Sequence, residues 1–142
     1  MDARTPEPTS DITKGNPQRL AVDQLFALKG RTAICTGATG GIGRELCVTL
    51  GEAGCDIVSI QLPLDPAGPS LGEEIKALGR TFKAFECDIG DSRGVRECFS
   101  RIWDAQIVPD ILLNAAGINL RGKVTELTDS NIDSVSAVAS VR

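Results

Sequence analysis

Histidine and tyrosine are both missing from this 142-residue chain. Without histidine there is no Ser-His-Asp or Cys-His arrangement and no imidazole acid or base. No stretch approaches the apolar length of a membrane helix. Positive charge is not in excess either. Fifteen Lys and Arg face nineteen Asp and Glu, a net charge of -4, and nucleic-acid binding normally leaves a basic footprint. The five cysteines, Cys35, Cys47, Cys55, Cys87 and Cys98, form no C-x-x-C pair. With no histidine beside them they make no zinc cluster. They read as small buried hydrophobes in a reducing compartment. The N-terminus lacks the apolar block of a secretory signal and the Arg-rich, acid-poor pattern of a transit peptide. The expected location is therefore the cytoplasm, with no membrane and no nucleic acid among the partners.

The composition, 42% apolar and 24% charged, is that of an ordinary globular domain, and the length suits one domain. Residues 1–19 are rich in Pro, Thr, Ser and charge and read as a disordered leader. Residues 20–142 then alternate regularly. Short β runs fall at Arg31–Thr36, Asp56–Leu62, Thr81–Glu86 and Ile111–Leu113. Helical patterns fall at Ile42–Ala53, Ser70–Leu78, Ser92–Ala105 and Thr128–Val141. In the first helix, Ile42, Leu46, Thr49, Leu50 and Ala53 share one face. In the third, Val95, Phe99 and Ile102 do so. Strands alternating with helices imply βαβ units, a parallel sheet and helices on both faces.

Residues 36–43 read TGATGGIG. This loop follows a β run and opens a helix, the context in which a glycine-rich turn cradles a dinucleotide. Gly37 allows the tight turn off the strand, Gly41 lets the backbone approach a pyrophosphate, and Gly43 permits close packing of the helix. The free N–H groups and positive end of the helix beginning near Ile42 suit phosphate.

The spacing T-G-x-x-x-G-x-G resembles that of the short-chain dehydrogenase/reductase family. Cys87-Asp88-Ile89, after the third strand, and Asn114-Ala115-Ala116-Gly117, after the fourth, resemble two further motifs of that family in order and spacing. LFALKGRTAICTG, EAGCDIVSIQ and ALGRTFKAFECDI are similar to its sugar-acid branch, 2-deoxy-D-gluconate 3-dehydrogenase and its relatives. The resemblance covers about residues 25–135. It implies an α/β fold, a three-layer αβα sandwich around an incomplete doubly wound, Rossmann-type parallel sheet of order 3-2-1-4. It also implies NAD(P)-dependent oxidation or reduction of a secondary alcohol or ketone, on a sugar acid in the narrower branch, and a homo-oligomer for a full-length relative.

The cofactor site implied in this way comprises Gly37, Thr39, Gly41, Ile42, Gly43, Gln61, Asp88, Ile89, Asn114, Ala115 and Gly117. Asp88 is expected to accept a hydrogen bond from the adenine amino group, or to make an Asx turn at a strand end. Asn114 either walls the adenosine pocket or only braces the sheet. Asn119 and Arg121 lie just beyond, facing the site or solvated in a loop. An acidic residue at the end of the second strand would bind the ribose 2′-OH of NAD, whereas a nearby Arg would favour NADP. That position is Gln61; Asp65 follows past Pro63. Neither this stretch nor Thr39, where NADP-preferring relatives often carry a basic residue, is basic. NAD is favoured over NADP.

The family's chemistry needs a Ser and a Tyr-x-x-x-Lys, on a fifth strand and the helix after it. These are expected beyond residue 142. The family's helix Asn falls at about Ala139, in a tail that departs from the pattern. No catalytic and no metal residue is assigned. Two outcomes stay open: the cofactor-binding part of a dehydrogenase, or a non-catalytic nucleotide-binding or interaction module.

Overall fold

The computed structural model describes residues 25–120, 122 and 124–139. The expected leader, residues 1–19, and Arg121 lie outside the described residues. The strands are β1 (Thr32–Thr36), β2 (Asp56–Gln61), β3 (Phe82–Glu86) and β4 (Ile111–Asn114). The helices are α1 (Gly41–Glu52), α2 (Gly68–Ala77), α3 (Ser92–Asp104) and α4 (Asp129–Ala139), with a short 3-10 turn at Val124–Glu126. The sheet is parallel throughout and ordered β3-β2-β1-β4, as expected. Parallel strands cannot be joined by tight hairpins, so helical crossovers connect β1 to β2, β2 to β3 and β3 to β4.

Strand alternation sorts the core into two layers. Ala33, Cys35 and Ile57 point to one face and pack with Cys47 of α1 and Leu71 and Ile75 of α2. Ile34, Val58 and Ile60 point to the other and pack with Cys98 and Ile102 of α3. The helix–sheet–helix sandwich follows directly. All five cysteines are buried and form no disulfide.

α1 corrects the sequence expectation. Its buried seam is Gly43, Cys47 and Gly51, one helical step away from the expected face. Of the expected face, Leu50 does pack against the core, whereas Ile42 is 77% exposed and Leu46 40%. The large apolar residues set the apparent period, but close packing chose the small ones. A β-carbon on Gly51 would lie 3.1 Å from Leu78 Cδ1 and 3.2 Å from Ile75 Cδ1, so α2 already fills that space. α3 behaves as expected: Cys98 and Ile102 are buried, and Val95 and Phe99 pack against them. Asp91 caps this helix by accepting from the Arg93 N–H at 3.0 Å, a bond of the N-cap kind. α4 has no buried residue. Among the described residues, no helix is long and apolar enough to cross a membrane.

Candidate functional site

The carboxyl ends of all four strands lie at one end of the sheet, because the pairing is parallel and in step. Thr36 pairs with Ile60 and Asn114, and Gln61 pairs with Glu86. In open α/β sheets, ligands bind outside this end where the strand order reverses. Here the order reverses between β1 and β4, and the space outside their carboxyl ends, bordered by the end of β2, is open.

A cavity of about 590 Å³ occupies that space. Its wall comes from four segments: the glycine loop (Gly37, Thr39, Gly40), the end of β2 and the loop after it (Ile60, Gln61, Leu62, Asp65), Cys87–Gly90 after β3, and Ala115–Ile118 after β4. Ser134, Ala137 and Val138 of α4 close one side.

The glycine loop is shaped by close backbone approaches. Gly37 has φ +65°, and a β-carbon there would stand 2.6 Å from the Ala116 Cα. Only glycine allows both that turn and that contact. Gly43 is closed in by the loop itself: its β-carbon would lie 2.1 Å from the Gly37 carbonyl oxygen. The sequence reading had this glycine admit the helix to the sheet; the neighbour it actually meets is the turn. Gly41 differs, with nothing within 4 Å of a β-carbon. Gly40 is the N-cap of α1 in extended conformation, with no side-chain cap. The first-turn N–H groups of α1 therefore have no side-chain acceptor there, an arrangement that favours an anion.

Of the eleven residues named from sequence, Gly37, Thr39, Gln61, Asp88, Ile89, Ala115 and Gly117 line this cavity. Gly41, Ile42 and Gly43 stand beside it at the start of α1. Asn114 faces a second cavity, of about 270 Å³, whose wall includes Cys98, Phe99 and Leu112. Asn119 lines a third cavity with Leu120, Leu127 and Ile132. Ala139 is exposed at the end of α4.

Asp88 makes the Asx turn, accepting from the Gly90 N–H at 2.9 Å through Oδ1. Gln61 is buried, and its Oε1 accepts from the Ser59 hydroxyl at 2.9 Å. Thr39 donates to Asp65 Oδ2 at 2.6 Å. Cys87 separates the first two cavities. Burial foremost, then the neighbouring Cys98 thiol, pushes its thiol up to about 11, so at neutral pH it is an uncharged wall residue and not a nucleophile. Sequence reasoning missed Gly40, Asp65 and the α4 residues as wall. Asp65 carried a signal, a carboxylate in the loop after β2; the α4 residues carried none, because long-range packing alone brings them there.

The family model for short chain dehydrogenases matches residues 31–141. The chain belongs to the short-chain dehydrogenase family. It is 36% identical to a 2-dehydro-3-deoxy-D-gluconate 5-dehydrogenase of Pseudoalteromonas atlantica, over 79% of this chain and 44% of that protein. The sugar-acid resemblance is thereby met by a relative named for a deoxygluconate substrate. Two solved structures share the fold. A 3-oxoacyl (acyl-carrier-protein) reductase from Agrobacterium tumefaciens, with NADP bound, superposes with TM-score 0.75 at 25% identity, over 85% of this chain and 46% of that one. A short chain dehydrogenase from Burkholderia cenocepacia, in complex with NADP, gives 0.72 at 32% identity, over 78% and 45%. This short-chain dehydrogenase chain thus spans under half the length of the relatives it matches.

Proposed function

We propose that the chain is the cofactor-binding part of an NAD(P)-dependent dehydrogenase that acts on a secondary alcohol or ketone of sugar-acid type. The observation that carries this is the 590 Å³ cavity at the carboxyl ends of the strands, bounded by a glycine loop that leads into an uncapped helix. A volume of that order suits a sizeable organic ligand. Gly37, Gly40 and the first turn of α1 would receive the pyrophosphate. Asp88, Ile89 and Val138 would enclose the adenine, and Ala115–Gly117 would run along the adenosine.

When bound, the nicotinamide supplies the hydride acceptor or donor. This chain's own residues bind and orient the dinucleotide and hold water away from it. No histidine or tyrosine within the chain can move the substrate proton. NADH absorbance with purified chain and a 3-deoxygluconate-type substrate is accordingly expected to stay flat.

NAD is the cofactor this reading favours. Among the described residues lining the cavity, no side chain is cationic. The nearby Arg44 is engaged, donating to Glu74 Oε2 at 2.6 Å and to Ser70 Oγ at 3.1 Å.

Calorimetric titration tests the reading. Gly40→Val places a branched side chain at the cavity wall, where the nearest atom to a β-carbon, the Gly37 carbonyl oxygen, is 3.5 Å away. The β-carbon is thus in ordinary contact with the fold, and the branched side chain would take space that the pyrophosphate needs. Saturable NAD binding that falls at least tenfold in Gly40→Val is expected, about 1.4 kcal/mol. Unchanged affinity in the folded variant would show that the loop is not the site.

A further inference from the structure

We infer that the outer edge of β4 is a self-complementary interface, through which two copies of this chain pair antiparallel across a two-fold axis at Leu113. The inference is independent of the dinucleotide reading above.

The backbone decides which groups are on offer. Successive residues of a strand turn their N–H and C=O groups to opposite edges. The Ala115 N–H donates to the Thr36 carbonyl at 3.1 Å. Alternation back from that bond turns Ile111 and Leu113 toward β1 and leaves Leu112 and Asn114 facing outward. Two N–H and two C=O groups therefore stand on the outer edge, since β1 is the one strand paired with β4 among the described residues. The run is bounded on its amino side. The Asp110 N–H turns back to the Thr32 carbonyl at 2.8 Å, and Pro109 has no N–H to give.

Antiparallel pairing about Leu113 uses all four groups. Leu112 exchanges both backbone bonds with the partner's Asn114, and Asn114 does so with the partner's Leu112. A two-fold axis imposes this reciprocity. An axis at Leu112 would instead set Asn114 against the partner's Asp110, whose N–H is already committed. The axis at Leu113 leaves no outward group orphaned.

The side chains agree with that register. Leu113 packs against the core layer of Cys35 and Cys47. Facing its own copy, it takes the non-hydrogen-bonded position, where side chains come closest. On the other face Leu112, which is mostly exposed, and Asn114 line the second cavity. Pairing brings the partner's Leu112 to the open side of that cavity.

Charge favours a second copy at this edge over any other. The chain carries a net charge of -4, so two copies repel unless they meet where charge is absent. Residues 111–120, ILLNAAGINL, carry none. The carboxylate before them, Asp110, is engaged by the Thr32 N–H and Arg31. β3, the other outer strand, carries Lys83 and Glu86.

Light scattering on the full chain over a dilution series tests this, with Leu112→Pro beside the wild type. Proline removes an outward N–H and none that bonds β1, and an edge strand tolerates it. A reversible dimer is expected for the wild type, and its dissociation constant should rise at least tenfold in Leu112→Pro. Cross-linking reads the register, with oxidised glutathione accepting the two electrons. Leu113→Cys should form a disulfide with its own copy, because directly opposed residues lie within disulfide reach. Leu112→Cys, which faces the partner's Asn114, should not. The native cysteines are buried, so the wild type is the uncross-linked control. Should Leu112→Pro fail to fold, the comparison of the two cysteine variants decides. A wild type that stays monomeric would overturn the inference and leave the edge to a strand from a different protein. Assemblies larger than a dimer, an unweakened dimer in folded Leu112→Pro, or equal cross-linking at 112 and 113 would each overturn it too.

Discussion

The two edges of the sheet are built differently. β3, FKAFE, half-buries Phe82 and Phe85 and turns Lys83 and Glu86 to solvent. Charged residues on an outer strand discourage another strand from adding. β4, ILLN, carries no charge, and Leu112 is 57% exposed. Among the described residues it pairs with β1 alone. The contrast extends to the covering helices. α3 buries Cys98 and Ile102, whereas α4 buries nothing and leaves Ile132 55% exposed. Val108, Ile118 and Leu120 add exposed apolar surface near β4. The β3 edge has the chemistry of an outer strand. The β4 edge has that of a strand which takes a neighbour, since an uncharged apolar edge leaves its outer N–H and C=O groups open to pairing.

The largest consequence is a change of association state. The chain by itself is expected to self-associate through β4, and Leu112→Lys should restore a monomer. Size-exclusion chromatography with light scattering checks this. A sharp monomer for the unaltered chain would erase the distinction between the edges.

Next comes packing. Ile102→Ala removes a fully buried side chain of α3 and should cost about 3 kcal/mol. Ile132→Ala on α4 should stay within about 0.5 kcal/mol. Urea unfolding measures both, in the Leu112→Lys background. Equal losses would mean that α4 is packed as firmly as α3. Gly43→Ala belongs with the larger class, because its new methyl would meet the Gly37 carbonyl oxygen; about 2 kcal/mol is expected from overpacking.

The smallest effect concerns the join between β4 and β1. Asp110 accepts from the Thr32 N–H at 2.9 Å and from Arg31. The backbone N–H first, then Arg31, holds its carboxyl below the ordinary carboxylate value. A lowered folded-state value means that the unfolded chain binds the proton first. The contribution is therefore fully present above the ordinary value and is lost as pH falls through the lowered one. The exposed site makes it modest. Asp110→Asn should flatten the acid limb of the stability curve slightly, and an identical curve would show that the pin does nothing.

The same contrast explains what the sequence disclosed. The four strands were legible, because Gly and Pro punctuate short β runs and the period changes between them; their order, 3-2-1-4, followed from the family resemblance. The glycine loop was legible from its strand–loop–helix setting. The face of α1 was not: Gly43, Cys47 and Gly51 carry little hydropathy, yet they form the seam because they are small. Asn114 sits at the expected strand end but faces the second cavity together with Leu112, since side chains two apart on a strand share a face. The wall supplied by Ser134, Ala137 and Val138 depends on where α4 lies, and no local pattern encodes that.

The central claim is that the cavity between the glycine loop, the end of β2 and the start of the loop after β4 holds a dinucleotide. Hydrogen–deuterium exchange with and without saturating NAD tests it most directly. Slowed exchange at 37–42, 61–67, 87–90 and 115–118, with no change at 119–132 around the third cavity, is the predicted result. Unchanged exchange at the glycine loop, or protection confined to 119–132, would contradict it.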